Sequence, residues 1–202
     1  MIYIKSNATV LKIQEATIKL YAENGYEKAT MTEIANAVGI KKPSIYAHYE
    51  NKQEIFLSII ENLSSVYVSK FKQEIEKYNH LTVEEQLYSV LESTRTFFQH
   101  EDLGLFLKRM LLFPPKELEG HLLKRYEEFE NQLLLIIRGL FEKGIKNNEI
   151  FHNDVDELVD AYIHLLDSCF IQLFDPDEGL VKKRLKAAWS FFWRSIATKK
   201  ER

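Results

Sequence analysis

The chain has 202 residues, 46% hydrophobic and 28% charged, with four prolines, seven glycines and a formal net charge of -3. That length admits one large domain or a small one joined to a medium one, and the apolar fraction excludes a disordered polymer. The charge is uneven: residues 1–52 carry seven lysines and five glutamates, so that end is net positive and the remainder net negative, the sign expected of an N-terminal end that approaches phosphates.

Cys169 is the only cysteine, which excludes an internal disulfide and a cysteine-based zinc cluster and suits a reducing cytoplasm. The N-terminus Met1-Ile2-Tyr3-Ile4-Lys5 lacks the apolar stretch of a signal peptide. The longest apolar run, Leu133 to Ile137, is far too short to span a bilayer. The expectation is a soluble, cytoplasmic protein that does not enter membranes; the basic tail Lys199-Lys200-Glu201-Arg202 reads as a solvated end.

In chain order, Val10, Ile13, Leu20 and Tyr21 fall at helical spacing over 10–24, and Gly25 closes that helix. Thr30 and Glu33 form a T-x-x-E capping box that opens a short helix through Val38, and Gly39 stops it. Pro43 lies in the first turn of the next short helix, where its missing N–H costs little. That helix is expected to end near His48 or Tyr49, with Asn51 capping the following one. Phe56, Ile60, Leu63, Tyr67, Phe71, Ile75 and Tyr78 step by three or four, which predicts one long amphipathic helix over 52–78.

Thr82 starts another helix with Leu87, Leu91, Thr94 and Phe98 along its face, and one over 103–112 is stopped by Pro114-Pro115. Residues 116–146 read as a long helix. Asn153-Asp154 caps a helix to about Phe174, and Asp175-Pro176-Asp177 turns into a last one ending near Thr198. The predicted fold class is all-α, about nine helices, with three short helices over 10–49 ahead of the long ones.

Within those three, Gly39 permits the positive φ that swings the second helix across the third, and Ile34, Ala35, Val38, Ile40 and Ile45 lock the pair. Lys41, Lys42, Ser44, Tyr46 and His48 are left on or near the outer surface of a helix narrow enough for a DNA major groove. The stretch Ile13-x-x-Ala16-x-x-x-Leu20-Tyr21-x-x-x-Gly25-Tyr26, then Thr30-Met31-x-x-Ile34-Ala35-x-x-Val38-Gly39-Ile40, then Ile45-Tyr46-x-His48-Tyr49-x-Asn51-Lys52 resembles the N-terminal signature of the TetR family of bacterial transcriptional regulators.

The resemblance implies a helix-turn-helix domain over 1–52 and a helical ligand-binding and dimerisation domain over 53–202. It implies that Lys42–His48 reads the major groove, that Tyr46 and His48 contact backbone or bases, that Lys52 contacts a phosphate, and that Thr30 and Thr32 anchor the preceding helix. The expected DNA-binding set is therefore Thr30, Thr32, Lys41, Lys42, Ser44, Tyr46, His48 and Lys52. The sequence departs from the family pattern at Lys41, where a Ser or Thr cap is usual, at Pro43 and at Tyr49.

The same resemblance implies a small-molecule effector held between the later helices. Polar residues set within apolar stretches are the candidate ligand contacts: Arg95, His100, Arg109, His121, His164 and Gln172. Helices at about 154–174 and 179–198 carry apolar residues on nearly all sides, and a second copy of the chain is the economical cover. The expected partners are thus near-palindromic double-stranded operator DNA, a homodimer mate through those helices and an unidentified, largely apolar effector, the whole acting as a repressor. No cofactor and no metal site are expected, because the six histidines fall at no i,i+3 or i,i+4 spacing. An enzyme is the rival reading. Its best residues, His164, Asp167, Ser168 and Cys169, crowd one helical stretch with no nucleophile elbow.

Overall fold

A computed structural model describes residues 8–97, 101–151, 154–172, 175 and 177–198. These residues form α-helices α1 (Ala8–Asn24), α2 (Met31–Val38), α3 (Lys42–Tyr46), α4 (Lys52–Lys77), α5 (Val83–Phe97), α6 (Glu101–Leu112), α7 (Glu119–Lys146), α8 (Val155–Ile171) and α9 (Glu178–Ile196). The all-α expectation holds: the sole β-type pairing among them is an isolated bridge between Ile150 and Ala197. It is fixed by Phe151 N–H donating to the Ile196 carbonyl and Thr198 N–H to the Glu149 carbonyl.

The helix ends obey local chemistry. Thr30 Oγ1 accepts from Glu33 N–H at 3.2 Å, Asn51 Oδ1 from Glu54 N–H at 2.9 Å and Asp177 Oδ1 from Leu180 N–H at 2.9 Å, each satisfying an orphan donor of a first turn. Thr82 and Glu85 complete a reciprocal box at the start of α5: Glu85 N–H donates to Thr82 Oγ1 and Thr82 N–H to Glu85 Oε2. Helix α3 stops at Tyr46, short of the predicted His48 or Tyr49. His48 and Tyr49 N–H both turn back onto the Ile45 carbonyl, so the chain tightens instead of continuing.

The chain divides into two compact units. The first comprises residues to Tyr67 together with 100–129; the second comprises 68–99 and 130–202. The first is centred on Tyr21, Tyr26, Phe56 and Phe106, whose ring centroids lie 4.9–5.9 Å apart, edge-on except for the stacked Phe56–Phe106 pair. Helix α6 joins it through Arg109, whose Nη1 donates to the Tyr21 carbonyl at 3.0 Å, a second donor there beside Gly25 N–H at 2.9 Å.

In the second unit α5, α7, α8 and α9 enclose Leu87, Leu91, Phe141, Tyr162 and Trp189. Tyr162 lies fully buried, with its hydroxyl donating to the Leu87 carbonyl at 2.7 Å. Gly144 sits where α7 must run close to the following loop: a Cβ there meets Ile150 Cδ1 at 2.5 Å and Val83 Cγ1 at 3.3 Å.

Candidate DNA-binding interface

The three short helices form a helix-turn-helix because each is buried on one narrow side only. Helix α2 turns inward on Met31, Ile34 and Ala35. It ends at Gly39, which takes φ 76°, ψ 30° while its N–H bonds back to Ala35 and Asn36. Ile40 N–H also reaches the Ala35 carbonyl, and this fold-back launches α3 across α2. In α3 only Ile45 is buried, with Tyr49 just beyond its end. Lys41 is the N-cap residue but makes no side-chain cap, the consequence of the departure noted in the sequence.

The remaining surface of α3 faces solvent. Lys41, Lys42, Ser44 and Tyr46 are exposed, Tyr46 to 49%, and His48 is half-buried. No hydrogen bond or ion pair among the described residues occupies the Lys41, Lys42 or Tyr46 side chains. Two cationic side chains, two hydroxyls and an imidazole thus lie on or beside one short helix, with donors for phosphate oxygens and base edges. Thr30 and Thr32 are exposed at the start of α2, where Thr30 also serves as the cap.

Lys52 is placed differently from the other cations. Its Nζ donates to the Tyr26 carbonyl at 2.9 Å and stands 3.7 Å over the Tyr26 ring. Burial, then the carboxylates of Glu117 and Glu27, push the Tyr26 hydroxyl up to about 12, so the ring beneath Lys52 is neutral at physiological pH. Lys52 therefore ties the start of α4 to the turn between α1 and α2.

A feature the sequence reading passed over lies behind α3. Gln14 sits on the buried face of α1 between Ile13 and Thr17. Its Nε2 donates to Tyr49 Oη at 3.1 Å and Ser58 Oγ at 3.0 Å, and its Oε1 accepts from Asn62 Nδ2 at 3.0 Å. The available signal was a glutamine at a position whose helical neighbours all face the core.

The described polar candidates for ligand contact are divided between the two units. In the first unit, Arg109 caps α1 and His121 is exposed. Arg109 also lines an open cleft of about 440 Å³ with Tyr21, Tyr26, Phe113 and Lys116. In the second unit, Arg95 is 13% exposed and held by Glu92 at 3.1 Å, while His164 stands 84% exposed, 3.9 Å from Asp167. Gln172 is half-buried at the end of α8, and its Oε1 has no hydrogen-bond partner. His100 lies outside the described residues.

The rival catalytic cluster has no activated nucleophile. Cys169 is buried, and burial, with Glu92 next, pushes its thiol up to about 12, the wrong direction for a thiolate at neutral pH. No group of three or more His, Cys, Asp or Glu among the described residues is arranged to hold a metal ion, and no helix among them is long and apolar enough to cross a membrane.

A tight Gly39 turn with an unencumbered cationic helix beyond it defines a DNA-binding protein of the helix-turn-helix class. Residues 13–59 match the family model of bacterial regulatory proteins, tetR family. Over 140 residues the chain is 25% identical to the fatty acid metabolism regulator protein of Bacillus subtilis, covering 69% of this chain and 70% of that one. Over 57 residues it is 40% identical to the negative transcriptional regulator IcaR of the biofilm operon icaADBC in Staphylococcus epidermidis, covering 28% and 31% respectively. Among solved structures, the fatty acid degradation regulator FadR of Bacillus halodurans superposes with a TM-score of 0.75 at 18% identity, over 94% of this chain and 97% of that one. FadR of Bacillus subtilis in complex with stearoyl-CoA superposes at 0.74 with 19% identity, over 92% and 98%. These relatives are regulators and not enzymes, and this chain is similar to the tetR family of bacterial regulatory proteins over residues 13–59.

Proposed function

We propose that the protein is a cytoplasmic, homodimeric repressor that binds a near-palindromic operator and is switched by a small, largely apolar ligand. The observation that carries the reading is the outer face of α3, where Lys41, Lys42, Ser44 and Tyr46 are exposed. Thr30, Thr32 and His48 flank it as further contacts, and residues 1–52 act as the DNA-binding domain with 53–202 as the regulatory one.

Dimerisation is supported by the surfaces of α8 and α9. Each leaves a large apolar side chain in solvent, Ile171 on α8 and Phe191 on α9, the latter 72% exposed, and Ala161, Ala187 and Ala188 are exposed as well. Exposed apolar side chains on helices that bury their other faces ask for a cover, and a two-fold mate supplies the same surface back. Two recognition helices roughly 34–36 Å apart then meet successive major grooves. Repression is supported by the negative regulator among the relatives. An apolar effector is supported by the aliphatic and aromatic interior of the second unit, and by the acyl thioester in the FadR neighbour's structure. A ligand acts only through unequal affinity for the DNA-competent and incompetent arrangements.

The test is DNase footprinting on DNA flanking the protein's own gene, at two salt concentrations, beside a Lys42→Ala/Tyr46→Ala variant. The expected result is a protected near-palindrome that disappears in the variant. Diffuse, salt-sensitive binding with no site selected from random DNA would remove the regulator reading in favour of a helical interaction module.

A further inference from the structure

Helix α3 is a five-residue helix with no side-chain cap, a proline in its first turn and most of its surface in solvent. Propensity and capping therefore contribute almost nothing to its pose. Two side chains root it from behind, Ile45 and Tyr49. Ile45 is held by apolar contact, which resists removal but not rotation, since dispersion and hydrophobic burial have little directionality. Tyr49 is held by directional bonds.

The Tyr49 hydroxyl closes a triangle with Gln14 Nε2 and Ser58 Oγ, with sides of 3.1, 3.0 and 3.1 Å. Ser58 Oγ spends its single proton on the Ile55 carbonyl at 2.7 Å, so it accepts from Gln14 and from Tyr49. The two Gln14 amide hydrogens go to Tyr49 and Ser58, and its oxygen takes Asn62 Nδ2. Both polar atoms of the Gln14 side chain, which is 1% exposed, are thereby partnered, and a shift of α3 lengthens bonds on which the buried amide depends. The triangle joins three elements: α1 through Gln14, the end of α3 through Tyr49, and α4 through Ser58 and Asn62.

We propose that Gln14, Tyr49, Ser58 and Asn62 are positioning residues for DNA reading. They touch no DNA themselves; they fix the azimuth of α3 so that Tyr46 and Ser44 meet base edges in register. The inference rests on the DNA-binding reading above. Direct readout depends on bidentate geometry and is lost with a small rotation, whereas phosphate attraction tolerates it. Loosening the triangle therefore costs discrimination before it costs non-specific affinity.

The experiment compares wild type with Tyr49→Phe, Ser58→Ala and, as a packing control outside the network, Ile13→Val. Affinity is read for a duplex selected from random DNA by wild type and for a scrambled duplex, together with the melting temperature. The expected result is a fall of about tenfold in the selected-to-scrambled ratio for Tyr49→Phe and for Ser58→Ala. The scrambled affinity holds, and Ile13→Val lowers the melting temperature without moving the ratio. If Tyr49→Phe fails to fold, Ser58→Ala opens the same triangle from the α4 side and decides. An unchanged ratio in the folded network variants, or a ratio that follows melting temperature in all three, overturns the inference and leaves the regulator reading intact. If wild type selects no duplex, both fall together.

Discussion

Gly39 and Gly144 are both places where alanine is expected to destabilise, for unrelated reasons. At Gly39 a Cβ meets nothing within 4 Å, so the penalty is the left-handed backbone alone, about 1 kcal/mol. At Gly144 the backbone is helical and alanine gains nearly 1 kcal/mol of propensity, but its Cβ runs into buried Ile150 and Val83. Overpacking of roughly 1–3 kcal/mol wins there. Thermal melts of Gly39→Ala and Gly144→Ala check both, and a compensating Ile150→Val restores only the second. Cys169 gives a third outcome. Its thiol ionises near 9 in an unstructured chain and near 12 when folded, so the unfolded state loses its proton first as pH rises. The stability from the neutral thiol is whole below pH 9 and declines above it. Cys169→Ala is expected to flatten the alkaline fall in a pH series of denaturant melts, and native protein at pH 8 is expected to resist alkylation.

At the scale of the element, caps were the legible part of the sequence. Thr30, Asn51, Thr82, Asp154 and Asp177 all begin helices where the pattern placed them. A cap is a contract between neighbours in sequence, and nothing distant rewrites it. Thr82→Ala is accordingly expected to cost ~1 kcal/mol by losing half the box at α5, read as a lower denaturation midpoint. The end of α3 was misjudged because its last turn is set by the inward pull of Tyr49 onto Gln14 and Ser58, a tertiary demand that periodicity does not encode. The same limit hid the network itself. Helical spacing marks Gln14 as inward-facing but does not say which hydroxyl awaits it.

For the whole molecule, the pattern of apolar positions told how many faces each helix must cover, not which helix covers them. Arg109 illustrates the gap: its sequence setting suggested a ligand contact and gave no sign that it also bonds the Tyr21 carbonyl at the end of α1. Arg109→Ala removes one of the two donors on that carbonyl, Gly25 N–H keeping the other, and is expected to destabilise the first unit by about 1 kcal/mol, seen as easier proteolysis near the turn after α1. The exposed apolar face of α8 and α9 carries the prediction for assembly. Phe191→Glu is expected to yield a monomer by sedimentation while keeping its helical content, and to lose a palindromic site far more than a half-site.

The clasp of Lys52 on Tyr26 has a thermodynamic signature. A lysine that meets a phosphate sets free a condensed counterion, and affinity then falls with added salt in proportion to the number released. An ammonium already lodged on a carbonyl and a neutral ring releases none. Lys52→Met is therefore expected to weaken DNA binding by the same factor at every ionic strength, leaving the slope of log K against log salt untouched. Lys42→Met lowers that slope by about one ion for each protomer. One plot thus tests whether Lys42 meets a phosphate and Lys52 does not.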